Sequence, residues 1–226
     1  MKRNLSSVRA VIFDLDGTLI DSMGIWQEID EEFFARRGMP VPPGYQERIA
    51  HLGFSESAVV TAEEYLPGES AAALAAEWRQ MAREKYGAAD GARHFKPGAI
   101  GFLRALHAAG FRLGVATASS PELSVPVLRA GGVWELFGAF ASVEEAGRNK
   151  SFPDVFLLCG EKLGVPPGQC AVFEDNLTAL RSAKAAGMFA VGVFDRSSEG
   201  FFAQIREEAD AFIHDFSEAM RAFGLR

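Results

Sequence analysis

Short apolar runs alternate along the chain with stretches whose apolar positions recur every three or four residues. The first run, Val11-Ile12-Phe13, stops abruptly at Asp14 and reads as a strand buried on both faces. Similar runs at 111–116, 140–143, 171–173, 190–194 and 212–213 predict further strands. Helical spacing predicts helices over 99–109, 123–130, 152–163 and 177–186, and from Phe216 onward, with Gly110 and Gly187 closing two of them. Alternation of this kind predicts an α/β fold of three layers, a parallel sheet covered by helices on both faces.

One stretch breaks the alternation. After Asp21 or Ser22 as a helix cap, Ile25, Trp26, Ile29, Phe33 and Phe34 fall at helical spacing, and Gly38 with Pro40, Pro42 and Pro43 ends the pattern. Further helices are predicted over 45–52, 55–66 and from Ser70, the last carrying Leu74, Trp78, Met81 and Tyr86. An all-helical bundle inserted into the α/β chain follows. The expected division is an α/β core of 1–20 and 92–226 with a helical domain of 21–91, and crossings near 19–22 and 91–97 as hinges.

Composition narrows the class. Apolar residues make up 48% and charged residues 23%, as in ordinary globular proteins. The net charge of −7, with Lys and Arg scattered, argues against nucleic acid as a partner for the surface. No apolar stretch is long enough to span a bilayer. The N-terminus runs through polar Ser6-Ser7 straight into the first strand without a signal-peptide pattern, so a cytoplasmic protein is expected. Cys159 and Cys170 form neither a C-x-x-C nor a zinc pattern and read as reduced core thiols.

The chemistry lies where the strands end. Asp14 and Asp16, two residues apart, point to the same side, and a buried carboxylate pair calls for a cation or a reaction. Other strands end in Thr117-Ala118-Ser119-Ser120 and in Glu174-Asp175, and Lys150 lies just before Phe152-Pro153-Asp154. In a parallel sheet these ends share one crevice. Acids, a hydroxyl and a lysine together point to an oxyanion bound beside a cation, phosphate being the commonest such pairing. Ser119 and Ser120 read as helix-capping residues, and Asp154 as a structural partner within its loop.

Asp14-x-Asp16-Gly17-Thr18, Thr117, Lys150 and Glu174-Asp175 resemble, in order and spacing, the four motifs of the haloacid dehalogenase-like hydrolases. The stretches 149–156 and 172–188 resemble the branch containing β-phosphoglucomutase and many small phosphatases, and the likeness covers the whole chain. It implies a Rossmann-like core with the helical insert as a cap. It also implies a Mg²⁺-dependent phosphomonoester hydrolase acting on a small phosphorylated metabolite such as a sugar phosphate. Asp14 would become an aspartyl-phosphate, and Asp16 would shuttle the proton. Thr117, the Ala118 N–H and Lys150 would hold the phosphoryl oxygens. Mg²⁺ would sit among Asp14, the Asp16 carbonyl, Glu174 and Asp175.

The sequence departs from that branch at Asn149-Lys150-Ser151, where Gly-Lys-Pro is usual, and at Ala179, where Gly is usual. Trp26 stands where the mutases have a histidine, and Glu56 falls about where they have an arginine for a second phosphate. An acid there favours hydrolysis. A phosphomutase of the β-phosphoglucomutase kind and a non-catalytic phosphate-binding regulator are the alternatives. Substrate choice would fall to the cap, with Trp26, His51, Phe54 and Ser55 as candidates and the turn around Phe54 preferred. Trp26 reads as a bundle-packing residue before a substrate-stacking one, and His51 as a surface or satisfied histidine before a catalytic one. The expected partner is a small phosphorylated substrate, with no nucleic acid or membrane, on a monomer or weak dimer.

Overall fold

A computed structural model describes residues 5–87 and 94–225. The expected boundary at 92, and the start of the second crossing at 91–93, lie outside the described residues. Six strands form one sheet: β1 (Ala10–Phe13), β2 (Arg112–Thr117), β3 (Phe137–Ser142), β4 (Cys170–Glu174), β5 (Phe189–Val193) and β6 (Ala211–Ile213). They lie in the order β3-β2-β1-β4-β5-β6 and every pairing is parallel. The strand order reverses direction around β1, so the carboxyl ends of β1, β2 and β4 border the crevice where such sheets bind ligands.

Alternation along β1 sets the layers. Val11 and Phe13 pack with α5 (Ala99–Ala108), α6 (Pro121–Ala130) and α11 (Phe216–Ala222). Ala10 and Ile12 pack on the other face with α8 (Asp154–Leu163) and α9 (Leu177–Ala185). A short α10 (Phe202–Glu208) covers β5 through Ile205, which packs on Ala190. Phe13 and Phe173, which directly precede Asp14 and Glu174, stack with ring centroids 5.0 Å apart, and Phe102 meets Phe173 at 5.5 Å. The acids at the strand ends therefore stand on a close-packed aromatic base.

The insert lies between β1 and α5 and comprises α1 (Met23–Ala35), α2 (Tyr45–Ile49), α3 (Phe54–Glu64) and α4 (Ala71–Gly87). Ile29, Phe33, Phe34, Tyr45 and Trp78 fill its interior. Phe33 meets Trp78 and Phe34 meets Tyr45, each pair at 4.9 Å between centroids. The two crossings run side by side. Ile20 and Phe95 form an antiparallel bridge, Asp21 N–H donates to His94 O at 2.7 Å, and Lys96 N–H donates to Leu19 O at 2.9 Å.

Several elements differ from the sequence reading. The third strand starts at Phe137 rather than Phe140, and Val143 opens a four-residue helix, α7 (Val143–Ala146), instead of ending the strand. The helix placed at 152 begins at Asp154, the second insert helix ends at Ile49 before a turn, and α10 was absent from the expected pattern. Ser22 occupies the position before α1 but makes no capping hydrogen bond, and neither does Ser120 before α6. Cys159 and Cys170 are buried free thiols, pushed by burial up to about 12 and about 11. Among the described residues no helix is long and apolar enough to cross a membrane.

Packing between β2 and α8 is tight at one glycine. A methyl group added at Gly114 would lie 2.4 Å from Cys159 Sγ and 3.1 Å from Leu163 Cδ1. Gly114→Ala is expected to cost about 1–3 kcal/mol through overpacking. Thermal denaturation of the single variant against Gly114→Ala/Cys159→Ala checks this. The second substitution should recover part of the loss, and purely additive losses would contradict the tight contact.

Candidate active site

Each strand bordering the crevice contributes one or two polar groups at its carboxyl end. Asp14 follows β1, its N–H donating to Phe173 O at 3.0 Å, Thr117 ends β2, and Glu174 ends β4 with Asp175 next. Between β1 and α1 the chain folds into a compact turn in which the N–H groups of Leu19 and Ile20 donate to Leu15 O at 2.9 and 3.0 Å. Gly17 takes a φ of +82° there, and a Cβ on it would lie 2.5 Å from Asp175 Oδ2. Glycine is therefore required twice over, by backbone conformation and by the approach of a carboxylate. Thr18 completes the turn by donating its hydroxyl to Asp175 Oδ1 at 2.8 Å.

Carboxylate oxygens of Asp14, Glu174 and Asp175 lie within 4.8 Å of one another, all buried. Lys150, 3% exposed, donates to Asp14 Oδ1 and, at 2.7 Å, to Glu174 Oε2. Lys150 pairs with two of the three acids while Asp175 feels Lys96, which is itself paired with Asp195, and the shortage of positive charge shows in their protonation. Burial pushes Asp14 up and Glu174 well up from the ordinary carboxylate range despite Lys150. Asp175 is pushed to about 7 by burial first and by Asp14 and Asp195 next. Lys150 stays charged because Asp14 and Glu174 more than offset its own burial. A cluster of hard oxygen donors short of positive charge is the donor set that a divalent cation takes.

Asp16 does not join that cluster. Its Oδ1 accepts from Ser22 Oγ at 2.7 Å, from Trp26 Nε1 at 3.0 Å and from the Tyr86 hydroxyl, while Oδ2 accepts from Ser119 Oγ at 2.6 Å. Trp26 and Tyr86 belong to the insert helices α1 and α4, so the helical insert grips a side chain that follows β1. Ser22 and Ser119, read from sequence as capping residues, spend their hydroxyls here instead. Ser22, Tyr86 and Ser119 were not legible as site residues: Ser22 and Ser119 each stand shortly before a helix and read as caps, and Tyr86 falls among the apolar positions of an insert helix.

A cavity of about 330 Å³ runs from the strand ends into the insert. Asp14, Asp16, Thr117, Ala118, Lys150, Glu174 and Asp175 line it, as do Trp26 and Phe54, whose rings meet at 5.6 Å. His51 and Ser55 are not in its wall. His51 is half-buried, and its carbonyl accepts the Lys150 N–H at 3.1 Å. Ser55 is exposed and donates to Glu144 Oε1 at 3.1 Å. Both tie the insert to the core beside the cavity.

The loop around Lys150 is held without the usual glycine and proline. Asn149 Oδ1 accepts the Ser151 N–H at 2.9 Å, and Asn149 Nδ2 donates to Glu56 Oε1 at 2.6 Å. Glu56 is thus engaged by a neutral amide. Asp154 lies 3.8 Å from Arg148 Nη1, within the same loop region. Ala179 is buried on the far side of β4, in the cluster with Ile12 and Val172.

Comparison with known proteins places this arrangement. The family model described as haloacid dehalogenase-like hydrolase matches residues 8–187. Hexitol phosphatase A of Escherichia coli (strain K12) is 29% identical over 190 residues, covering 82% of each chain. CbbY from Rhodobacter sphaeroides, solved in complex with phosphate, superposes with a TM-score of 0.78 at 26% identity, covering 96% of this chain and all of the other. β-Phosphoglucomutase from Clostridium difficile shares the fold, with a TM-score of 0.79 at 20% identity and coverage of 96% and 97%. From its strand-end acids to its helical insert, the chain belongs to the haloacid dehalogenase-like hydrolases.

Proposed function

We propose that the protein is a phosphomonoester hydrolase that works through an aspartyl-phosphate on Asp14 and acts on a small phosphorylated metabolite. The observation that carries the reading is the buried contact of Lys150 with both Asp14 and Glu174 at the strand ends, beside Thr117 and facing the cavity. The named phosphatase relative and the phosphate-bound CbbY structure agree with it.

In the first step an Asp14 carboxylate oxygen attacks phosphorus, and the ester P–O bond breaks. Asp16 gives its proton to the departing alcohol oxygen. In the second step water attacks the phosphorus of the aspartyl-phosphate, Asp16 takes the water's proton, and inorganic phosphate leaves with Asp14 restored. Thr117 and the Ala118 N–H hydrogen-bond the phosphoryl oxygens, and Lys150 adds a point charge to them. Asp14, the Asp16 carbonyl, Glu174 and Asp175 would hold Mg²⁺, which when bound supplies charge neutralisation between carboxylate and phosphate. Glu56, paired with Asn149, offers no grip for a second phosphate, and this favours hydrolysis over a mutase cycle.

Asp14→Asn is expected to lower release of phosphate from an aryl phosphate by at least about 10³-fold, because the nucleophile is gone. Unchanged turnover would exclude Asp14 as the nucleophile.

Tyr86→Phe removes one of the donors that orient Asp16 and should lower kcat about tenfold with little change in KM. Steady-state kinetics with the Trp26→Phe variant alongside checks it, and an intact kcat in both would remove the clamp from the mechanism.

Cation binding should depend on pH in a defined direction. Asp14, Glu174 and Asp175 hold protons more tightly in the fold than in the unfolded chain. Without cation their contribution to stability therefore falls as pH rises from the ordinary carboxylate range, near 4, through about 7 for Asp175. Mg²⁺ at about 100 times its Kd should raise Tm by roughly 5–10 °C at pH 8 and by much less at pH 5, where protons compete. Thermal melts at the two pH values measure this, and equal shifts would contradict the assignment of these acids as ligands.

A further inference from the structure

Beyond Asp16 the cavity enters the insert, where Trp26, Ile29, Phe54 and Trp78 give it a largely apolar wall. Asp30 interrupts that wall. It is 7% exposed, it has no ion pair among the described residues, and its one hydrogen bond there is from Gln46 Nε2 to Oδ2 at 3.2 Å. Burial pushes its carboxyl up to about 7. An acid so enclosed keeps its proton or takes a partner, and a single long amide hydrogen bond compensates its burial only slightly. The same wall contains Trp78, whose buried indole N–H has no partner among the described residues. Asp30 thus leaves acceptor capacity unused at the end of the cavity remote from the phosphate machinery.

The charge of this end is as informative as its polarity. Among the described residues that line the insert side there is no lysine, arginine or histidine, while Asp30 and Glu47 are both present. A second phosphate or a carboxylate at this end would meet acids with no cation beside them, since Arg181, which also lines the cavity, lies on the core side and is paired with Glu208. A hydroxyl meets the opposite situation, since it donates to a carboxylate and also accepts from an N–H. An ammonium group could satisfy Asp30 but could accept nothing.

We propose that Asp30, oriented by Gln46, determines specificity by binding a hydroxyl on the leaving alcohol of the substrate. The substrate is then the monophosphate of an uncharged polyol or sugar, and phosphate esters carrying a second anionic group are excluded. This rests on the hydrolase reading above and adds what the enzyme selects.

The test compares kcat/KM of the full-length protein with Mg²⁺ for sorbitol 6-phosphate, 2-phosphoglycolate, phosphoethanolamine and 4-nitrophenyl phosphate. Sorbitol 6-phosphate should exceed 2-phosphoglycolate and phosphoethanolamine, each by at least about tenfold, the size of one hydrogen bond to a charged group. Asp30→Asn should compress the sorbitol-to-glycolate ratio about tenfold, mainly through KM. A preference for 2-phosphoglycolate would overturn the proposal, and so would an unchanged ratio in a variant whose circular dichroism matches wild type. A preference for phosphoethanolamine would overturn the hydroxyl assignment. The wild-type ranking decides alone if Asp30→Asn does not fold. Absence of phosphate release from every ester, 4-nitrophenyl phosphate included, would instead sink the hydrolase reading and this inference with it. Release from the aryl ester with the wrong ranking sinks only this one.

Discussion

Three carboxylates buried together, two of them on Lys150, set the terms for the rest of the molecule. Asp14, Glu174 and Asp175 could not be held so close on a yielding base. The stacked Phe13 and Phe173 beneath them, backed by Phe102 and Phe216, provide a dense one. Lys150 is positioned in turn by its N–H bond to the His51 carbonyl of the insert. Gly17 is without a side chain because Asp175 fills the space one would need. Features that look independent along the chain answer to one electrostatic demand.

The helical insert is drawn into the same centre through Asp16. Its four donors come from the first crossing, from two insert helices and from the loop after β2. Asp16 is thus oriented only while the insert sits against the core. Asn149–Glu56 and Ser55–Glu144 fasten that contact at the cavity's rim. In the mechanism proposed above, these side chains would couple proton transfer by Asp16 to closure over a substrate.

The sheet and the acidic centre were legible in the sequence because each rests on a local signal. Fully buried strands such as Val11-Ile12-Phe13 show as unbroken apolar runs, and Asp14, Thr117, Lys150 and Glu174-Asp175 stand at the places where those patterns stop or beside them. Other parts carried no such signal. Gly138 interrupts the apolar pattern of β3 and hid its start, and Val143 prolongs the run although its backbone has already turned helical. Phe202 to Glu208 has too few periodic apolar positions to declare α10. A serine before a helix looks the same whether it caps the helix or serves an aspartate across the chain, so Ser22 and Ser119 were read as caps. Asp30 sits in an acidic stretch with Glu28, Glu31 and Glu32, and only the bundle's packing singles it out as the buried one.

The paired crossings have a consequence for descent. Ile20 and Phe95 are adjacent, so the whole helical insert is attached to the sheet across the width of one bridge. A lineage could exchange everything between those residues, or trim it, and the strand ends would keep their register, because β1 is held by β2 and β4 rather than by the insert. The register of the sheet is in this way independent of the insert, whereas the orientation of Asp16 and the seat of Lys150 are not, so any replacement insert would have to bring its own groups for both.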